Sequence, residues 1–151
     1  MTDLTVRTLN ALAKNISQDT VAALRGKLRG VVALPGEDGY DAARTIWNAM
    51  IDRRPGLVVR CLSAADVAHA VTFAREEKLL VAVRAGGHNI AGHAVCDGGL
   101  LIDLSLMKSV NVDPASETAR VEPGATLADF DKEAQAFGLA TPLGINSTTG
   151  V

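Results

Sequence analysis

Aromatic residues are scarce in this sequence: one Trp, one Tyr and three Phe among 151 positions. Charge of one sign is missing too, with 15 Lys and Arg against 17 Asp and Glu. Without a basic stripe or an aromatic cluster, the footprint of a nucleic-acid binder is absent. Only two cysteines occur, Cys61 and Cys96, and neither belongs to a CxxC pair, so a disulfide framework is excluded. No apolar run approaches the roughly 20 residues of a membrane-spanning helix. The opening MTDLTVRTLN lacks the charged segment and apolar run of a signal peptide. No nucleic acid, no membrane partner and a cytoplasmic, reducing location are therefore expected.

What remains is rich in Ala, Val, Leu and Gly, with 48% apolar and 21% charged residues. A chain of this length can bury roughly two thirds of its unfolded surface, which excludes an intrinsically disordered chain. Residues 4–30 carry Leu4, Leu9, Leu12 and Ile16, then Val21, Leu24 and Leu28, at about helical spacing, with N-cap residues in the intervening SQDT. An N-terminal helical extension over 1–38 is expected, with a homo-oligomer contact as one use for it. A helix is expected over Tyr40 to Met50, with Ala43, Ile46, Trp47 and Met50 on one face and Trp47 in the core.

From residue 55 the pattern alternates between strand and helix. Leu57 to Arg60 reads as a buried strand, Ser63 as the N-cap of a helix reaching about Glu77, and Leu79 to Val83 as a second, parallel strand. That helix is expected to bury Val67, Ala70, Val71, Phe73 and Ala74. Leu100 to Leu104 is a third strand. Residues 110–112 and 118–121 suit a hairpin, and Thr126 opens a helix with Leu127, Phe130 and Ala134 inward. The fold class is α+β, a mixed β-sheet flanked by helices. The chain stops inside a glycine- and threonine-rich loop, which raises the expectation of an incomplete domain.

The second strand empties into Arg84-Ala85-Gly86-Gly87-His88-Asn89-Ile90-Ala91-Gly92. Adjacent glycines bring backbone N–H groups close to a ligand, and successive N–H groups form a nest for an anion such as a pyrophosphate. The same pair of glycines also suits a plain tight turn. The order of residues is neither the Rossmann G-x-G-x-x-G nor a P-loop. His88 is either a hydrogen-bonded loop residue or a nucleophile. Arg84 could pair with a phosphate or with a core carboxylate. His88, His93, Cys96 and Asp97 also lie within ten residues of one another, leaving a metal site as an alternative.

Five ordered blocks carry a resemblance: PGLVVR at 55–60, SAADV at 63–67, VRAGGHNIAG at 83–92, GGLLIDLS at 98–105 and VEPGA at 121–125. Together they resemble the FAD-binding domain (PCMH type) of the vanillyl-alcohol oxidase and p-cresol methylhydroxylase superfamily, especially its berberine-bridge-enzyme-like FAD-linked oxidoreductases. The resemblance implies FAD as cofactor, held by a domain over 39–151. It implies that Arg84, Ala85, Gly86, Gly87, His88 and Asn89 wrap the pyrophosphate and that His88 forms an 8α-histidyl bond to the flavin. Gly92, then Asp103, Leu104 and Ser105, then Pro123 and Gly124 are implied beside the cofactor. Gly144, Ser147, Thr148, Gly150 and Val151 fall in a second FAD-binding loop. Some members carry a second link through a cysteine there; Asn146 occupies that position, so a single link is implied.

The parent reaction implied is hydride removal from an alcohol or amine-bearing carbon of a small-molecule substrate to flavin N5. The family's substrate-binding domain has no counterpart here, so turnover by these residues alone is not expected, and none of them is assigned a catalytic role. A non-catalytic remnant or interaction module that does not retain flavin is the remaining alternative.

Overall fold

The computed structural model describes residues 3–151. In chain order its elements are β1 (Leu4–Arg7), β2 (Ala13–Ile16), α1 (Gln18–Lys27), β3 (Val31–Ala33), α2 (Tyr40–Arg44), β4 (Leu57–Arg60), α3 (Ala64–Glu77), β5 (Val81–Arg84), β6 (Leu100–Asp103), β7 (Val110–Asp113), β8 (Thr118–Val121) and α4 (Leu127–Gln135). A central four-stranded sheet has the order β3-β4-β6-β5. β3 runs antiparallel to β4, while β4, β5 and β6 run parallel, so the sheet is mixed. The β4-α3-β5 unit is present, but β6 inserts between its two strands.

Side-chain alternation divides the sheet into two buried faces. Leu57, Val59, Leu100 and Ile102 pack with Val21 and Leu24 of α1 and with Ala70, Phe73 and Ala74 of α3. Val58 and Leu101 face the other way, against Tyr40, Ala43, Ile46, Val95 and Cys96. α3 starts where Ser63 accepts the Asp66 N–H, and it ends at Lys78 in a left-handed conformation. The Asp66 carboxylate is sealed in and accepts the N–H groups of Arg29, Gly30 and Leu62. Burial pushes its pKa up, but those backbone donors outweigh the burial and hold it below the ordinary carboxylate range.

Three expectations fail here. Residues 4–16 are not helical: β1 and β2 form an antiparallel hairpin. Val6 and Ile16 are the inward residues, while Leu9 (70% exposed) and Leu12 (66%) fall at its tip. The tip is closed by Ala11 in a left-handed conformation and by the Thr8 N–H donating to the Leu12 carbonyl. The β-branched Thr5, Val6 and Thr8 fit a strand as well as the leucine spacing fits a helix. Val6 and Ile16 join the same core as the central sheet.

The helix at residue 40 stops after one turn. Thr45 is extended, and its hydroxyl donates back to the Asp41 carbonyl. Trp47 and Met50, expected on a buried face, are 69% and 92% exposed. On α3, Val71 is exposed, contrary to expectation, whereas Phe73 is buried. The hairpin of β7 with β8 and the inward Leu127, Phe130 and Ala134 of α4 form as expected. No helix among the described residues is long and apolar enough to cross a membrane.

Candidate functional site

Because β4, β6 and β5 are parallel and in register, their C-terminal residues stand in a row: Arg60 beside Asp103, Asp103 beside Arg84. Open α/β sheets bind ligands outside such strand ends. Asp103 is fully buried. Its carboxylate accepts from Arg84 Nη2 at 2.7 Å and Nε at 3.2 Å, from Arg60 Nε at 3.0 Å and from the Ser105 N–H at 3.0 Å. Burial raises its pKa, but the charge of Arg84 and hydrogen bonds from Arg84 and Ser105 outweigh burial and hold it below the usual carboxylate range. Arg84 Nη1 donates to the Thr45 carbonyl at 2.6 Å. Of the two partners weighed for Arg84, the core carboxylate holds its guanidinium. Two guanidinium groups to one carboxylate leave the strand ends positive, which favours an anion above them. Leu104 and Ser105 continue from β6, half-buried, with the Leu104 N–H on the Arg84 carbonyl.

Past Arg84 the backbone leaves the sheet. Gly87 is buried and left-handed (φ 71°), a conformation that glycine adopts without strain. The N–H groups of Ala85, Gly86, Gly87 and His88 meet no acceptor among the described residues. Four successive donors without a protein partner suit an anionic ligand. Asn89 shapes the loop instead: its carbonyl takes the Gly92 N–H and its Oδ1 takes the His93 N–H. A Cβ on Gly92 would lie 2.8 Å from Ile51, so packing against Ile51 already demands glycine there.

The second loop is fastened to α4. Thr126 and Asp129 form a reciprocal capping box. The Leu127 N–H donates to the Thr149 carbonyl, the Ala128 N–H to Ser147, and the Val151 N–H to Ala125. The first turn of α4 thus directs its donors to the loop and brings Gly150 beside Gly86. A Cβ on Gly86 would come within 3.1 Å of the Gly150 nitrogen, so a side chain there would fill the space between the two backbones. The two loop backbones therefore pack directly against each other at Gly86 and Gly150.

The remaining expected residues make other contacts. The Thr148 N–H and hydroxyl both go to Asn146 Oδ1, and Ser147 and Thr148 are exposed. A Cβ on Gly144 would lie 3.2 Å from Leu127. Pro123 is exposed, and Gly124 is pressed against the turn after β6, where a Cβ would lie 2.4 Å from the Leu104 carbonyl oxygen. Contacts therefore join Gly86 to Gly150, Arg84 to Asp103, Ser105 to Asp103, and Gly124 to Leu104. They do not link Gly92 or Gly144 to the Gly86–Gly150 approach.

Sequence reasoning missed the segment Thr45–Asn48, which lies along the first loop. The Trp47 N–H donates to the Gly87 carbonyl at 3.2 Å, and Asn48 Nδ2 donates to the Ile90 carbonyl at 3.0 Å. The indole of Trp47 sits 5.5 Å from the half-buried imidazole of His88, with the rings tilted by 30°. A Trp-Asn pair shortly before the Pro-Gly that opens β4 was a faint signal, hidden by the apparent helical spacing. Among the described residues no three His, Cys, Asp or Glu side chains converge, Asp97 accepts the Arg54 N–H, and Cys96 is buried with its thiol pKa pushed up by burial. A hollow of about 340 Å³ between the β7–β8 hairpin and α4 lies apart from the glycine loop and shares only Val151 with the site.

Comparison with known proteins matches residues 55–151 to the FAD binding domain family. The chain is 43% identical over 123 residues to (R)-6-hydroxynicotine oxidase of Paenarthrobacter nicotinovorans, covering 82% of this chain and 27% of that protein. It is 42% identical over 125 residues to an FAD-linked oxidoreductase of Dictyostelium discoideum, with the same coverage. The crystal structure of 6-hydroxy-D-nicotine oxidase from Arthrobacter nicotinovorans superposes with a TM-score of 0.78 at 43% identity, over 82% of this chain and 27% of that one. A Physcomitrella patens BBE-like protein superposes at 0.77 with 26% identity, over 86% and 29%. The chain spans about 27% of the length of these curated relatives. It belongs to the FAD binding domain family, with the α+β PCMH-type fold and FAD as the family's cofactor, and its relatives are FAD-linked oxidases and oxidoreductases.

Proposed function

We propose that this chain is the cofactor-holding part of an FAD-linked oxidoreductase in which His88 tethers the flavin. The observation that carries the reading is the run of N–H groups from Ala85 to His88 without a protein acceptor, in a loop that leaves β5 directly after Arg84 and whose Gly86 approaches Gly150. Ala85, Gly86, Gly87 and Gly150 would hold the pyrophosphate through main-chain donors. Arg84 and Asp103 would act from beneath, as the rigid floor that fixes where the loop departs. FAD supplies hydride acceptance at N5, here from an alcohol or amine-bearing carbon of a small-molecule substrate.

His88 stands at the end of the donor row, half-buried, with its ring beside an aromatic neighbour. Attachment would join a ring nitrogen of His88 to the flavin 8α carbon, with loss of one proton from each and of two electrons, for which dioxygen would be the acceptor, giving hydrogen peroxide. Acid precipitation of protein made in flavin-replete cells, followed by a scan of the pellet for flavin absorbance, tests the tether. Covalent flavin stays with the wild-type pellet and is absent from His88→Ala. A colourless wild-type pellet, or a coloured His88→Ala pellet, removes the tether from His88.

A further inference from the structure

We propose that Trp47 is a positioning residue for flavin attachment at His88. The inference rests on the tether reading above and assigns its geometry to a segment outside the glycine loop. Thr45–Asn48 touches that loop on both sides of the histidine. The Thr45 carbonyl takes Arg84 Nη1, the Trp47 N–H reaches the Gly87 carbonyl immediately before His88, and Asn48 Nδ2 reaches the Ile90 carbonyl beyond it. Between these struts the indole lies 5.5 Å from the imidazole. That separation lies in the range where aromatic rings attract.

Trp47 is 69% exposed, an unusual setting for the chain's only tryptophan if it served core packing. An imidazole on a loop samples several rotamers of its two side-chain torsions. A flat neighbour fastened to the same loop backbone removes those in which the ring would swing across the indole. Bond formation to carbon needs the ring nitrogen aligned with its target, and misplacement by about 1 Å costs on the order of a hundredfold in rate. Trp47 thus acts through His88 and needs no contact with the reacting carbon.

The test compares the full chain as wild type, Trp47→Ala and Trp47→Phe, each incubated with FAD in air. Total bound flavin is read after gel filtration, and acid-stable flavin is read against time. Trp47→Ala should keep total flavin within about twofold while its attachment slows about tenfold or more, and Trp47→Phe should recover most of that loss. Should Trp47→Ala fold poorly by circular dichroism, Trp47→Leu replaces it and is expected to be as slow. Attachment by Trp47→Ala at the wild-type rate overturns the proposal. So does a Trp47→Phe as slow as Trp47→Ala, or a total flavin content that falls in step with attachment, which would make Trp47 part of the binding surface. Wild type with no acid-stable flavin overturns the His88 tether itself, an outcome distinct from a tethered wild type with an indifferent Trp47.

Discussion

Two regions that adjoin in sequence are built on opposite principles. At the strand ends, Arg60, Asp103 and Arg84 satisfy one another through side chains, and the carboxylate between them is sealed from water. In the loop that follows Arg84, side chains nearly vanish and four backbone donors are left without protein partners. In the first region the Asp103 carboxylate and the Arg84 guanidinium are held by partners within the fold. The second has kept its hydrogen-bonding capacity free and can only be completed from outside. Arg84, the residue that most looks able to bind a phosphate, is bonded to Asp103 and the Thr45 carbonyl, and in the proposed reading Gly86 and Gly87 form the face a ligand would meet.

The contrast predicts that damage to the floor appears as lost stability and damage to the loop as lost flavin. Asp103→Ala leaves two guanidinium groups without their shared partner. It should cost about 3–5 kcal/mol, toward the lower end because Arg60 keeps some access to water, read as a chemical-denaturation midpoint. Gly124→Ala forces a methyl group into the Leu104 carbonyl and should cost about 1–3 kcal/mol in the same assay.

The acid limb gives a third check. Asp103 and Asp66 have pKa values below the ordinary range in the folded state. The stability they contribute is fully present above the unfolded aspartate value of about 3.9 and is lost as pH falls through the lowered folded values. Asp66→Asn should be less stable than wild type at neutral pH and lose less on going from about pH 4 downward. An unchanged acid limb would mean that Asp66 is not held ionised by the fold. Smallest in stability is His88→Ala, expected within about 0.5 kcal/mol of wild type because the ring is only half-buried and belongs to neither core cluster. A large loss there would merge the two regions and break the contrast.

The sheet, α3, the β7–β8 hairpin and α4 were legible in the sequence because local signals agree with tertiary demands. Ser63 and Thr126 cap where they should, and Leu57–Arg60 and Leu100–Asp103 are short apolar runs between turns. The glycine loop was legible as a place, since a strand leads straight into it. The N-terminal hairpin was not, because Leu9 and Leu12 mimic a helical face although the turn leaves them in water. Nor was Trp47 legible. The helix at Tyr40 ends because the Thr45 carbonyl and the Trp47 N–H are taken by Arg84 and Gly87, partners far downstream that no local pattern reveals. The pairing of Arg84 with Asp103 was equally hidden, since it depends on β6 lying between β4 and β5.

The most direct test is an amide NMR titration of the chain with FAD. Resonances of Gly86, Gly87, His88 and Gly150 should shift together, while those of Leu127 and Ala128, whose N–H groups are already bonded to the 147–149 loop, should move little. Unmoved glycine resonances, with the changes gathered instead around Phe130, Leu139 and Leu143 in the hollow beside α4, would contradict a main-chain cradle for the dinucleotide.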